Sequence, residues 1–472
     1  IHYQKLNILN YLKKFFIFFT LVTFNFSLAQ DTSKTPNIFF YLADDQDLLD
    51  YGAYGNPKVH TPAVDLLAKQ GMRFNNFYTS QAICAPSRSQ IFTGMYPMKN
   101  GCMANHLPVK SDIKTVIDYM QERGYDVVLA GKGHVKPNSV FKWSKYFKSV
   151  NNRFLPLEDL ENYLKNSEGP FCVFVTSDFP HGPYPKDSSY SIEDIFPLPY
   201  DRGSFRGFKR GYYQNIKDDN SQLTKVLRLV KDNSLYYNSI FIYASDHGIS
   251  GKWGVSEQGL RVPFIVRWPG VIKENSVSET MLNFVDVLPT FLDIIGADIP
   301  STLDGKSFKS TFFGSQAPIH KYIFSLSTRQ NIRDCKVFPI RAVRDIRYKY
   351  IRNYNSLEVV SSNYGKNPVV NEFIKIGAES FPNTPYEELY DLKNDPYQEN
   401  NLVDNESLFS IKEELSKALD SWMKSQSDFL LREKMPLIKP TLHPLDQASK
   451  WNKVSDKLDG KLTESDYTLL HY

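Results

Sequence analysis

Four stretches of the chain are almost wholly apolar, and each stops on ionisable residues. Asn37–Ala43 ends on Asp44-Asp45, and Asp126–Ala130 runs into Gly131-Lys132-Gly133-His134. Phe171–Thr176 runs into Ser177-Asp178-Phe179-Pro180-His181, and Ser239–Ala244 into Ser245-Asp246-His247-Gly248. Apolar runs without polar alternation predict strands covered on both faces, as in a parallel sheet. Between them, Pro62–Gln70, Ile113–Arg123 and Asn220–Asp232 carry apolar residues at helical spacing, the last through Leu223, Val226, Leu227 and Val230. Alternating strands and helices predict a layered α/β/α sandwich with a mainly parallel sheet. Such sheets build their sites at the carboxyl ends of strands, so the four polar endings are expected to converge on one cleft.

Phe264–Gly270 reads as a further strand ending on a turn, and Phe284–Ile295 as a helix despite Pro289. From about Pro318 the texture changes. Arg341–Ile351 alternates like a half-exposed antiparallel hairpin, Glu388–Leu392 is a short strand leading into a turn, and Leu408–Met423 is an amphipathic helix. Residues 31–317 are therefore expected to form a catalytic α/β domain, and 318–472 a smaller C-terminal α+β subdomain with an antiparallel sheet and a polar tail.

Composition narrows the class. The 472 residues are 42% hydrophobic and 23% charged with a net charge of +4, ordinary for a globular protein and too weakly basic for a nucleic-acid partner. Affinity for an anion must come from local clusters of Arg, Lys and His. Residues 1–30 read as an export signal: Lys13-Lys14, the apolar run Phe15–Phe24, then Ser27-Leu28-Ala29 before Gln30-Asp31. That run is shorter than the ~20 residues a spanning helix needs, and no later segment qualifies, so no membrane span is expected. A periplasmic or secreted location follows. Four cysteines in an exported chain raise the question of disulfides. One pair is compatible with the sequence and none is required; Cys172, inside a strand-like run, reads as a buried free thiol.

Two features carry chemistry. Adjacent carboxylates at a strand end repel one another, and a cation relieves that repulsion, so Asp44-Asp45 with Asp246-His247 form a metal-ligand set. Three carboxylates and one imidazole favour a hard divalent ion, calcium or magnesium over zinc. The second feature is Cys84-Ala85-Pro86-Ser87-Arg88, continuing to Thr93-Gly94. A Cys beside a helix start, with an Arg just behind it, places sulfur near free backbone N–H groups and a fixed positive charge.

The order Cys-x-Pro-Ser-Arg followed by Thr-Gly resembles the maturation motif of type I sulfatases. In that family the Cys is oxidised to Cα-formylglycine by a dedicated maturation enzyme. The resemblance extends to Asp44-Asp45, Gly131–His134, Pro180–Pro183, Ser245–Gly248, Gly251-Lys252, Gly259–Pro263, and Tyr390–Leu392 with Asn394–Pro396. It implies an alkaline-phosphatase-like fold and one calcium ion held by Asp44, Asp45, Asp246, His247 and the modified Cys84. It also implies Arg88, Lys132 and Lys252 as the cations on sulfate. His181 resembles the acid that protonates the leaving group, with Lys252 as the alternative, and His134 the residue that hydrogen-bonds the nucleophilic hydroxyl. His106, in a loop that can rim the cleft, is a substrate-binding candidate. Gly131–Val135 followed by Pro137 is similar to the N-sulfoglucosamine sulfohydrolase-like branch, which includes bacterial enzymes of algal polysaccharides. That similarity, with an aromatic content of 14%, points to a sulfated saccharide such as ulvan. Two other readings stay open: a phosphomonoester or phosphonate hydrolase of the same superfamily, and a non-catalytic glycan-binding protein in which Cys84 remains a thiol.

Overall fold

The computed structural model describes residues 35–197, 206–327, 340–354, 385–432, 434–438 and 467–471. The expected export signal, 1–30, lies outside them. Among the described residues no helix is long and apolar enough to cross a membrane. In chain order the strands are β1 (Asn37–Asp44), β2 (Met72–Phe74), β3 (Phe77–Tyr78), β4 (Asp126–Gly131), β5 (Lys145–Phe147), β6 (Phe171–Pro180) and β7 (Ser239–Ser245). There follow β8 (Phe264–Arg267), β9 (Ser276–Ser278), β10 (Leu282–Asn283), β11 (Ile323–Ser327), β12 (Ile340–Arg344), β13 (Tyr348–Asn353), β14 (Glu387–Asp391), β15 (Lys434–Ile438) and β16 (Tyr467–His471). All belong to the compact unit that begins at Asn37.

Eight of these strands form one sheet in the order β5-β4-β6-β1-β7-β8-β2-β9, in which β8 alone runs against the rest. Every residue of β1 is buried, because the strand has a core on each side. Ile38, Phe40 and Leu42 pack under helices Cys84–Thr93, Val116–Gln121 and Val287–Ile294. Phe39, Tyr41 and Ala43 face the opposite layer, made by Pro62–Lys69, Leu157–Asn166 and Arg206–Asp232. The period of two along a strand explains the division, and burying each such side chain contributes about 1.5–3 kcal/mol. This is the expected α/β/α sandwich.

Two helices differ from their sequence patterns. The one expected over Ile113–Arg123 is helical over Val116–Gln121 only, because Thr115 and Asp118 form a capping box that sets its start. The one expected over Asn220–Asp232 begins at Arg206 and runs 27 residues. Its first half buries Lys209, Asn215 and Asp219 beside Tyr212, Tyr213 and Ile216, so its inward face is mixed and the apolar stripe of the second half is interrupted there.

The C-terminal part holds a four-stranded antiparallel sheet, β11-β12-β13-β14, with the β12–β13 hairpin pairing Arg344 with Lys349. Leu326, Val343, Tyr350 and Leu389 of this sheet pack on Leu415, Leu419, Trp422 and Met423 of helix Phe409–Ser425. Tyr96, Met98 and Val285 of the α/β part join the same cluster.

Candidate active site

Register brings the strand ends together. Ala43 pairs with Ser245, Asp44 with Pro180, and Gly131 with Thr176, so Asp44, Asp45, Lys132, His181, Asp246 and His247 leave the sheet at one edge. The helix of the Cys84 motif starts at Cys84 itself, two residues before Pro86, with Ile83 as its N-cap. Arg88 lies one turn further on. Cys84 and Arg88 thus face the same edge.

Cys84 is 2% exposed. Its Sγ lies 3.3 Å from His247 Nε2 and 3.7 Å from Asp45 Oδ1. Arg88 is fully buried: its Nη2 donates to Asp44 Oδ1 at 3.2 Å, its Nε to Asp246 Oδ2 at 3.2 Å, and its Nη1 to the Lys132 carbonyl at 3.2 Å. Lys132 Nζ pairs with Asp44 Oδ2. On the other side Lys252 Nζ donates to Asp45 Oδ2 at 2.7 Å and Oδ1 at 3.0 Å, while His181 Nε2 lies 3.7 Å from Asp45 Oδ2. The two adjacent carboxylates therefore meet different cations. Asp45 adopts φ 69°, and His106, His134 and Trp253 also have positive φ. Left-handed backbone at non-glycine residues costs energy and gathers where geometry is imposed by the surroundings. Lys252 is held by a close backbone crossing: a Cβ added at Gly251 would lie 2.1 Å from the Gly259 nitrogen.

Electrostatics separates the groups. Burial pushes the Asp44 carboxyl up, but Lys132 and Arg88 overcome it and hold Asp44 well below the usual range. At Asp246 burial wins, only partly offset by His247, and the carboxyl is raised. Burial, reinforced by Asp44 and Asp45, holds the Cys84 thiol well above its ordinary value, so an unmodified Cys84 stays protonated and is a poor nucleophile here. Burial and the Lys132 charge keep His134 neutral. Its Nε2 lies 3.2 Å from His106 Nδ1, and His106 Nε2 lies 3.2 Å from Asn105 Nδ2. His106 thus touches His134 at the rim.

A cation fits this set. His247 Nδ1 lies 3.2 Å from the Gly248 carbonyl, which turns Nε2 towards Asp45 Oδ1 at 3.1 Å and Cys84 Sγ at 3.3 Å. Asp45, Cys84 and His247, and likewise Asp44, Cys84 and Asp246, bring their ligand atoms within 4.8 Å of one another. Three buried carboxylate groups supply the hard oxygen donors that calcium takes.

Several supporting residues carry no sequence signature. Arg153 Nη1 donates to the carbonyls of His181 at 2.7 Å and Gly182 at 3.0 Å, with its guanidinium 3.8 Å from the Phe179 ring centroid. Asn215 Nδ2 donates to the carbonyls of Pro180, His181 and Pro183. The two side chains hold the loop that presents His181. Tyr212, three residues before Asn215, donates its hydroxyl to the Asp45 carbonyl at 3.1 Å, and Asp219 accepts from Tyr41 at 2.8 Å. The i, i+3, i+7 spacing of Tyr212, Asn215 and Asp219 is one helix face. Cys102 and Cys172 are buried free thiols, as is Cys84.

A mainly parallel sandwich whose strand ends surround a helix-start Cys with acids and fixed cations defines the alkaline-phosphatase-like hydrolases of sulfate and phosphate esters. Within that class the chain belongs to the sulfatase family: the Sulfatase model matches residues 36–297, and the model for the C-terminal region of N-sulphoglucosamine sulphohydrolase matches 245–366. It is 48% identical over 455 residues to an ulvan-active sulfatase of Formosa agariphila, covering 93% of this chain and 91% of the relative. Its fold is similar to that of a solved protein in complex with its substrate D-glucosamine-2-N,6-O-disulfate, with a TM-score of 0.66 at 20% identity over 84% of this chain and 99% of that one. The phosphonate monoester hydrolase of Agrobacterium radiobacter shares the fold at a TM-score of 0.64 and 17% identity, over 85% and 98% of the two chains. The chain is a sulfatase that hydrolyses sulfate esters, in a family that generally works with formylglycine.

Proposed function

We propose that this enzyme is exported and removes sulfate from ulvan or its oligosaccharides, with Cys84 converted to formylglycine by a maturation enzyme and one calcium ion held by Asp44, Asp45, Asp246 and His247. The observation that carries the reading is the contact of Cys84 Sγ with both His247 and Asp45 at the start of the Arg88 helix, where a protonated thiol has no use of its own. The 48% identity to an ulvan-active sulfatase supports the substrate. Oxidised and hydrated, position 84 supplies a hydroxyl nucleophile, and calcium supplies the charge that favours its deprotonation.

The chain's own residues do the rest. Arg88, Lys132 and Lys252 present three fixed positive charges in a buried setting, where they bind the ester's oxygens and stabilise the charge that spreads over them during transfer. A sugar alkoxide leaves poorly without a proton. The Nδ1 of His181 lies 2.9 Å from the Gly182 carbonyl, which fixes the ring and makes Nε2, 3.7 Å from Asp45 Oδ2, the atom that delivers the proton. Neutral His134 accepts a hydrogen bond from the hydroxyl at position 84, and His106 contacts the saccharide at the rim.

The test has two measurements on protein from a host carrying the maturation enzyme. The peptide containing Cys84 should lose the mass of the thiol and gain a reactive carbonyl, and defined ulvan oligosaccharides should release sulfate. A wholly unmodified Cys84 in fully active enzyme overturns the mechanism. Faster turnover of an aryl phosphate than of the matched aryl sulfate would move the chain to the phosphoester reading.

A further inference from the structure

Four arginines are buried among the described residues: Arg88, Arg267, Arg341 and Arg344, at 0, 3, 0 and 6% exposure. Three of them pair with acids. Arg88 meets Asp44 and Asp246, Arg341 meets Asp428 at 2.6 Å, and Arg344 meets Glu257 at 2.5 Å. Arg267 does not. Its Nε and Nη2 have no acceptor among the described residues, and its charge is offset by rings alone, Tyr236 with its centroid 4.1 Å from Cζ and Phe241 at 5.6 Å. A guanidinium cannot shed its proton, so a buried one stays charged, and an unpaired buried charge is strongly unfavourable. Burial pushes its pKa down, with only Tyr236 opposing.

Arg267 forms part of the wall of a groove of about 980 Å³ between helix Pro62–Lys69 and the C-terminal half of helix Arg206–Asp232. Arg228 and Lys231 line the same groove against one carboxylate, Asp232, and Tyr236 and the half-exposed Leu66 supply ring and aliphatic surface. The groove is separate from the cleft. Arg267 pairs with Phe241 near the start of β7, whereas Asp246 follows its end, five residues on, about 16 Å away at the opposite edge of the sheet.

We propose that this groove is a second binding site for an anionic saccharide, with a sulfate or carboxylate of one residue on Arg267 and that sugar's ring against Tyr236. The site would hold the polymer while a distant residue of the same or another chain is desulfated. The inference rests on the saccharide reading above, but it makes a claim that turnover does not test.

The experiment is affinity electrophoresis of the full-length Cys84→Ala protein in gels containing ulvan, polygalacturonate or a neutral glucan. Ulvan should retard the protein. Arg267→Met and Tyr236→Ala should each weaken retention about tenfold, the loss of one charge-assisted contact or one stacked ring. Retardation by polygalacturonate as well assigns a carboxylate to Arg267, and retardation by ulvan alone assigns a sulfate. If Arg267→Met does not fold, the exposed pair Arg228→Glu and Lys231→Glu reads the same groove. In matured enzyme the same substitutions should raise KM about tenfold on polymer and leave an aryl sulfate unchanged. Equal retention by the parent and all groove variants, or equal retardation by the neutral glucan, overturns the proposal. A failure to release sulfate from ulvan oligosaccharides strikes the catalytic reading alone, because retention in the gel is measured without turnover.

Discussion

The cleft at the end of β1 and the cluster around Glu257 are both buried networks of acids and bases, and they settle their charges in opposite ways. Glu257 accepts from Arg344 at 2.5 Å and Lys349 at 2.8 Å, so one carboxylate has two cations to itself. Burial pushes its carboxyl up, yet those cations bring it down to about 2. In the cleft three carboxylates share Arg88, Lys132 and Lys252 with two imidazoles at hand, and neighbouring acids are driven apart: Asp44 down, Asp246 up. Access differs too. Lys132, Lys252 and His181 have side chains 15, 13 and 43% exposed, against 8 and 1% for Arg344 and Lys349. A buried ion network is therefore not by itself a site. Like charges crowded together, on a path open to solvent, mark the one built for a ligand.

Substitutions can break or sharpen that contrast. The largest effect is expected from Cys84→Ala, which should lower turnover of any sulfate ester by about 10⁴-fold or more while shifting the melting temperature by less than about 3 °C. Turnover near wild type would remove the nucleophile from this position. Chelation comes next: stripping divalent ions should cut activity by about 10²–10³-fold, with recovery on adding calcium, since the carboxylates are left to repel one another and the metal's charge is lost from the cleft. Activity indifferent to the chelator would refute the ion's role in the cleft. His181→Ala should cost about 10²–10³-fold on a sugar sulfate and less than about tenfold on an aryl sulfate, whose leaving group needs no proton. Equal losses on both would take His181 out of the acid role.

The smallest effect on turnover should come from the other cluster. Glu257→Gln should leave activity per folded molecule unchanged and lower stability by roughly 3 kcal/mol, as breaking a buried pair does. The sign of its pH dependence follows from a carboxyl lowered on folding from 4.5 to about 2. That stabilisation is fully present above pH 4.5 and is lost as pH falls towards 2; the difference corresponds to roughly 3 kcal/mol. Burial holds Lys349 below its ordinary value, so the cluster as a whole yields less than Glu257 alone. Melting curves of wild type and Glu257→Gln between pH 2.5 and 6 should converge at the acid end; parallel curves would mean that Glu257 is not the group titrating.

Much of the cleft was legible because its parts are local patterns. β1, β4, β6 and β7 announce themselves by continuous apolar runs, and their endings expose the ionisable residues in one short window each. Cys84 and Arg88 share a helix turn, so their juxtaposition needs no tertiary knowledge. Arg153 and Asn215 were not legible, since each acts on backbone carbonyls of a loop about 30 residues away in sequence, with nothing in either neighbourhood to single it out. The early start of helix Arg206–Asp232 escaped for a related reason. The inward side of its first half sets Asn215 and Asp219 among Tyr212, Tyr213 and Ile216, which breaks the apolar stripe by which amphipathic helices are read.

The amino-acid order by itself determined where the strands end, which side chains sit at those ends, and that a helix opens at the Cys84 motif. These follow from side-chain period and local backbone preference. Only the tertiary structure decided that Asp44 belongs to Arg88 and Lys132 while Asp45 belongs to Lys252 and His247, and that Arg267 meets no acid among the described residues. Those pairings depend on the register of β1 against β6 and β7 and of β8 against β7, which is set by packing between segments as many as 200 residues apart.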